Sequence, residues 1–281
     1  MKKNIKLCVF DLDGTLLNSN SLLSTENIKT CTKWQKENKI ITIATGRAFE
    51  NSVNFVKELS LDKNAGFLIS NNGAQIYDFK KEKFIFSAPF NKEEYLKIWE
   101  YLSSFPTIFL FFFDGHNQIM YHNKVSKYDE EINLHINYHC FSPYHMSPKM
   151  INKADLEKLS IPFFKLLVIF NNEEQIKSFK SWLNENNINL ELFIMSNNLV
   201  FEITTTNVNK GNAVLKLCKY LNLKNDEVLV AGDNGNDVSM FQIFKNSFTT
   251  ANYNPVVLPY VKTIFKKTND HHIAKMIDES I

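Results

Sequence analysis

The chain opens on a short apolar run, Leu7–Phe10, that stops abruptly at Asp11-Leu12-Asp13-Gly14. An apolar run of this length, bounded by turn formers, predicts a buried strand followed by a tight loop. Ser24 then stands as the cap of a helix that carries Ile28, Cys31 and Trp34 on one face and stops near Asn38. Ile40–Ala44 is a second buried-type strand ending in Thr45-Gly46-Arg47, and a helix follows with Phe49, Val53, Val56 and Leu59 roughly in register. Gly66–Ile69 is a third strand, ending in Ser70-Asn71-Asn72-Gly73. Strand and helix alternating in this way predict a parallel, doubly wound sheet.

The pattern then changes. Ala74–Tyr77 and Lys83–Phe86 predict a hairpin. From about Pro89 to Thr206, helical stretches (Lys92–Leu102, Glu173–Asn186) are interspersed with strands (Ile108–Phe113, Phe164–Phe170, Leu199–Thr204), the mark of a separate α+β domain. After Lys210 the first pattern resumes with a helix (Asn212–Leu221), a strand (Val228–Ala231), the loop Gly232-Asp233-Asn234-Gly235-Asn236-Asp237 and a helix from near Val238. The expected architecture is α/β: a doubly wound core from residues 1–86 and 206–281, split by an inserted α+β domain over 87–205.

Composition narrows the function class. With 24 Phe, 10 Tyr and 3 Trp in 281 residues, the chain has too many groups needing burial to be disordered. A formal charge of +2 argues against a dedicated nucleic-acid binder. No apolar run approaches the roughly 18 residues of a membrane span, and Asp11 and Asp13 end the first run too soon for a signal peptide. Cys8, Cys31, Cys140 and Cys218 form no CxxC pair and read as free thiols in a reducing cytoplasm. Asn is abundant and Gly scarce, with 8, a bias read as carrying no functional content.

Five histidines, His116, His122, His135, His139 and His145, fall in the insert, and no HExxH or CxxC pattern supports a zinc site there. His271 and His272, and the run Lys80, Lys81 and Lys83, read as solvated. Phe109–Phe113 is apolar on both strand faces, which fits a strand buried on both sides; the sharper alternative has one Phe face touching substrate.

In doubly wound sheets, ligands bind beyond the carboxyl ends of the strands. Asp11/Asp13, Thr45/Gly46, Asn72/Gly73 and Asp233/Asn236/Asp237 fall at or next to such ends, and Lys210 opens a helix between two of them. Each cluster alone is weak, since Asp is common in turns. As an ordered set they suggest phosphoryl transfer through an aspartyl-phosphate. A phosphate dianion repels a carboxylate nucleophile, so the site needs compensating positive charge. Asp11 and Asp233 suit Mg²⁺, a hard ion that takes oxygen ligands, and Lys210 adds a second positive charge. Thr45 and the Gly46 N–H offer hydrogen bonds to phosphate oxygens, helped by a helix N-terminus. Asp11 takes the role of nucleophile, and Asp13 that of general acid and then base.

The segments Asp11-Leu-Asp-Gly-Thr-Leu-Leu17, Thr45-Gly-Arg, Asn72-Gly-Ala, Lys210-Gly and Gly232-Asp-Asn-Gly-Asn-Asp237 resemble the motifs of the haloacid dehalogenase (HAD) superfamily. Their order and spacing are similar to its Cof-type phosphatases, which carry a type IIB cap inserted before the lysine. The resemblance covers nearly the whole chain. It implies that Asp11 is both nucleophile and metal ligand, that Asp13 also gives its backbone carbonyl to Mg²⁺, and that Asp233 is the distal metal ligand. It places Thr45, Gly46, Lys210 and Asn236 on the phosphate, with Asp237 and Asn72 supporting the ligands from behind. The family pattern often has Ser where this chain has Asn209.

The implied protein is a cytoplasmic Mg²⁺-dependent phosphatase of small phosphorylated metabolites, such as sugar phosphates or phosphorylated cofactors, working as a monomer or small homo-oligomer without nucleic acid or membrane. A sugar phosphomutase on the same fold is the alternative that the motifs do not separate. A non-catalytic phospho-ligand sensor is disfavoured by the intact Asp11, Asp13, Lys210 and Asp233. A pump domain and a dehalogenase are both disfavoured by Asp13.

Overall fold

The computed structural model describes residues 4–105, 108–113, 119–122, 149–150, 152–194 and 199–281; for the strand residues between 108 and 150 it describes the backbone alone. The chain divides into two compact units, Met1–Ser87 with Val208–Ile281, and Ala88–Asn207.

The first unit is built on an eight-stranded sheet. Its strands are β1 (Leu7–Phe10), β2 (Ile40–Ala44), β3 (Phe67–Ser70), β4 (Gln75–Asp78) and β5 (Lys83–Ser87), followed after the second unit by β12 (Val228–Ala231), β13 (Asn246–Thr249) and β14 (Thr263–Ile264). The order is β14-β13-β12-β1-β2-β3-β4-β5. The six strands from β14 to β3 run parallel, and β4 and β5 close the far edge as an antiparallel hairpin. The chain therefore winds outward from β1 on one side and returns on the other, which makes β1/β12 the switch point where such folds hold ligands.

Alternate residues of the buried strands face opposite layers. Cys8, Phe10, Ile41, Ile43 and Leu229 pack with Cys31, Trp34, Ile273 and Ile277, from the helices Thr25–Lys36 and Ile273–Ser280. Leu7, Val9, Phe67, Ile69 and Val230 pack with Val214, Leu217, Met240 and Phe241, from the helices Lys210–Leu221 and Val238–Ile243. With helices on both faces, the central strands β1 and β12 are apolar throughout, as their sequence pattern implied. Ser24 caps its helix by accepting the Asn27 N–H at 3.1 Å.

The second expected helix differs. It spans only Val53–Glu58, and Phe49 lies before it, packed among Tyr77, Phe79 and Phe84 of the β4–β5 hairpin. Burial against aromatic rings outweighed helical register for that residue.

Asparagine has a structural use that its abundance alone did not suggest. Asn38, Asn71, Asn72, Asn187, Asn207 and Asn222 all adopt positive φ, conformations that glycine more often supplies. Others cap helices, among them Asn91, Asn152, Asn172 and Asn209.

The second unit holds β6 (Ile108–Phe113), β7 (Ile119–His122), β8 (Lys149–Met150), β9 (Phe163–Ile169), β10 (Leu190–Ile194) and β11 (Val200–Thr205), in the order β10-β11-β9-β6-β7-β8. The helices Lys92–Leu102 and Glu173–Glu185 supply Tyr95, Trp99, Ile176 and Phe179 to a core with Phe163, Val168 and Phe201. On this sheet Lys165 and Glu202 form a buried ion pair. The side chains of Phe109–Phe113 and His122, together with His116, His135, His139, Cys140 and His145, lie outside the described residues. His271 is exposed; His272 is half-buried, at positive φ before the last helix.

Candidate active site

Asp11 is the first residue beyond β1. The chain then closes a wide turn in which the N–H groups of Leu16 and Leu17 reach back to the carbonyls of Asp11 (3.2 Å) and Leu12 (2.9 Å). Gly14 makes this turn at φ 75°, and a Cβ there would sit 2.3 Å from Asp233 Oδ2. Only glycine allows the two acidic loops to approach this closely.

Lys210 ties three segments together. It is fully buried as the first residue of its helix, and its Nζ donates to Asp11 Oδ1 at 2.6 Å and to Asp237 Oδ1 at 2.7 Å. Burial alone would lower the lysine's pKa, but Asp11 and Asp237 outweigh it, and the net direction is upward. Asn209 caps this helix by accepting the Asn212 N–H at 2.8 Å. Asn and Ser are both good caps, so the departure at this position preserves its physical task.

Asp237 is a hub for the loop after β12. Its Oδ2 accepts the backbone N–H groups of Asp233 (2.9 Å) and Asn234 (3.0 Å), while Oδ1 takes the lysine. Asp233 is steadied from the other side, where Thr15 Oγ1 donates to its Oδ1 at 2.9 Å. Asn254 adds a backbone bond to the Asp233 carbonyl at 2.7 Å.

Oxygens of Asp11, Asp233 and Asp237 lie within 4.8 Å of one another. Three buried carboxylates thus face one buried ammonium. Burial, reinforced by neighbouring carboxylates, raises the pKa of Asp11 well above the usual range and pushes Asp233 up to about 8. A divalent cation would relieve this excess, and an all-oxygen donor set suits a hard one. Asp237 has both oxygens engaged in hydrogen bonds, whereas Asp11 and Asp233 each use one. Asp11 and Asp233 are therefore better placed than Asp237 to hold such an ion.

Thr45 is buried at the end of β2, and its hydroxyl accepts the Arg47 N–H at 3.1 Å. Gly46 follows, half-buried. The expected helix N-terminus is not beside it, because the next helix begins at Val53. Any anion at Gly46 would meet loop N–H groups rather than the end of a helix. Asn236 and Asn72 meet directly, with Asn236 Nδ2 donating to Asn72 Oδ1 at 3.0 Å. Asp13, at the half-buried edge, is paired with Arg47.

Sequence reasoning assigned no role to Thr15, Arg47 or Asn254. Thr15 and Arg47 stand inside quoted motifs, so their position was the available signal. Asn254 had none.

The structure thus defines a doubly wound α/β protein with an acidic cluster at its topological switch point. The family model for haloacid dehalogenase-like hydrolases matches residues 8–277, and the chain belongs to that family. Members of this family generally use a divalent metal, in keeping with the carboxylate cluster. The chain is 23% identical to the 5-amino-6-(5-phospho-D-ribitylamino)uracil phosphatase YbjI of Escherichia coli, over 98% of this chain and 96% of the relative. A haloacid dehalogenase-like hydrolase from B. subtilis shares the fold at TM-score 0.81 and 24% identity, over 99% of this chain and 100% of its own. A sugar phosphatase of HAD subclass IIB does so at TM-score 0.79 and 18% identity, covering 98% of both chains. Among the described residues, no helix is long and apolar enough to cross a membrane.

Proposed function

We propose that this protein is a Mg²⁺-dependent phosphatase that hydrolyses small phosphorylated metabolites through a phosphoryl group carried on Asp11. The observation that carries the proposal is Lys210, whose buried ammonium joins Asp11 to Asp237 beside Asp233. A carboxylate held against a fixed positive charge can approach a phosphate dianion.

In the first step, an Asp11 oxygen attacks phosphorus and the ester P–O bond breaks. Asp13 gives its proton to the departing oxygen. In the second step, Asp13, now ionised, takes a proton from water as the water oxygen attacks phosphorus. The bond to Asp11 breaks, inorganic phosphate leaves, and both carboxyl groups return to their starting states. Thr45, the Gly46 N–H, Lys210 and Asn236 hold the phosphoryl oxygens. The oxygens of Asp11 and Asp233 and the Asp13 carbonyl would hold Mg²⁺, which supplies further positive charge against the transferring group. Asp237 and Asn72 keep the binding loops in place.

None of these groups reads the leaving group beyond its departing oxygen. In this proposal, specificity belongs to the unit Ala88–Asn207, which acts as the cap. The relatives named as a uracil-ribitylamine phosphatase and a sugar phosphatase favour a polyol or sugar phosphate. The test is phosphate release across a panel of metabolite monoesters with Mg²⁺, with products checked for isomerisation. Isomerised ester in place of free phosphate would make the protein a mutase, and no turnover of any ester would overturn the proposal.

A further inference from the structure

Three asparagine amides grip the backbone of the loop after β1. Asn252 Nδ2 donates to the Gly14 carbonyl at 3.1 Å, Asn27 Nδ2 to the Leu16 carbonyl at 2.9 Å, and Asn269 Nδ2 to the Leu17 carbonyl at 2.6 Å. Two of these amides also accept a backbone N–H from the C-terminal segment: Asn252 Oδ1 from Asn269 at 3.1 Å, and Asn27 Oδ1 from Ala274 at 3.0 Å. A backbone N–H can only donate, so both amides must turn their nitrogen toward the loop. Thr250 Oγ1 lies 3.5 Å from the Gly14 carbonyl but 2.6 Å from Asn252 Oδ1, so its proton steadies the amide. Residues 250–274 carry none of the motifs, yet the acidic loop is tied to them.

The grip matters most at Gly14. With φ at 75° and no Cβ to limit its backbone, the peptide that follows it is intrinsically the freest in the loop. The Gly14 carbonyl and the Thr15 N–H share that one rigid plane. Thr15 comes next, and its hydroxyl donates to Asp233 Oδ1 at 2.9 Å. We infer that Asn252 is a positioning residue for the metal site: by holding the Gly14 carbonyl it sets the Gly14–Thr15 peptide plane, and with it the aim of the Thr15 hydroxyl at Asp233. This rests on the divalent-metal part of the reading above. Asn27 and Asn269 are buried and serve the packing of the loop as well, whereas Asn252 is exposed, so its amide can be removed without opening the core.

Calorimetric titration of Mg²⁺ into the chelated full chain tests this without turnover. Asn252→Ala should weaken Mg²⁺ binding by about tenfold. The melting temperature of the metal-free variant should fall by no more than about 4 °C, the cost of one exposed hydrogen bond. Thr15→Val should weaken Mg²⁺ binding at least as much. Because both changes act through one hydroxyl, the double variant should bind within about threefold of Thr15→Val alone. If the alanine variant does not fold, Asn252→Ser removes the amide while keeping a turn-forming residue, and the same outcomes apply. Unchanged Mg²⁺ affinity, with or without a lower melting temperature, would overturn the inference, as would effects of the two changes that multiply in full. A wild-type protein that binds no Mg²⁺ would instead remove the metal reading, and this inference with it.

Discussion

Thr15 and Asp233 are 218 positions apart, yet the Thr15 hydroxyl donates to Asp233 Oδ1 at 2.9 Å in a buried contact. The bond joins the loop after β1 to the loop after β12 and orients one oxygen of a proposed metal ligand. Removing such a supporting bond weakens metal binding by about 10- to 100-fold. Thr15→Val, nearly the same shape, is expected to raise the Mg²⁺ concentration for half-maximal activity by roughly that factor while kcat at saturating Mg²⁺ falls much less. A magnesium titration of phosphate release checks it, and an unchanged midpoint would contradict it.

Asp11→Asn is nearly isosteric and keeps a partner for Lys210 Nζ, which retains Asp237 at 2.7 Å. Turnover should fall by at least about 1,000-fold with the fold intact, because the amide is a far poorer nucleophile. Circular dichroism together with steady-state kinetics separates the two effects, and a variant retaining a few per cent of wild-type kcat would deny Asp11 its role.

Asp237 should matter more for stability. It is fully buried and answers Lys210 and two backbone N–H groups. Asp237→Ala leaves the ammonium short of one partner and the loop unpinned, at a cost of about 3–5 kcal/mol. Chemical denaturation should show this loss, several times that of Asp11→Asn. Equal stabilities would mean that the hub is not structural.

Exhaustive chelation should abolish activity, and Mg²⁺ should restore it. The added ion should also raise the midpoint of thermal unfolding, because it binds the folded site and relieves the facing carboxylates of Asp11 and Asp233. A melting temperature indifferent to Mg²⁺ in the chelated protein would argue against a metal in this cluster.

Cys8, Cys31 and Cys218 are free and buried. Burial raises all three thiols, to about 12 for Cys31 and about 11 for Cys218. Reaction needs the thiolate, so these three should resist a thiol reagent at neutral pH and react only on unfolding. Mass spectrometry after timed labelling identifies them; rapid native labelling of Cys31 would contradict its packing.

Much of the fold was legible because the deciding signals are local. Apolar runs ending at Asp11, Thr45 and Gly232 marked three strand ends, and Ser24 marked a helix start. Family motifs then pointed to Asp11, Asp13, Lys210 and Asp233 as one site. Phe49 misled, since helical spacing carries no information about a distant aromatic hairpin. The same limit hid the abundant asparagines' use at positive φ, which depends on backbone angles and not on composition.

What the sequence by itself determined is the list of chemical groups and the strand each one follows. Tertiary structure decided which oxygen faces which donor. The fork of Arg47 on Asp13 and the bond of Thr15 to Asp233 follow from β12 and β2 flanking β1 in register, and the pairing of Asn236 with Asn72 needs β3 beside β2 as well. Hydrogen bonds and ion pairs of this kind are short and directional, so shifts of about an ångström make or break them. Only the packed sheet holds loops more than 200 residues apart to that tolerance.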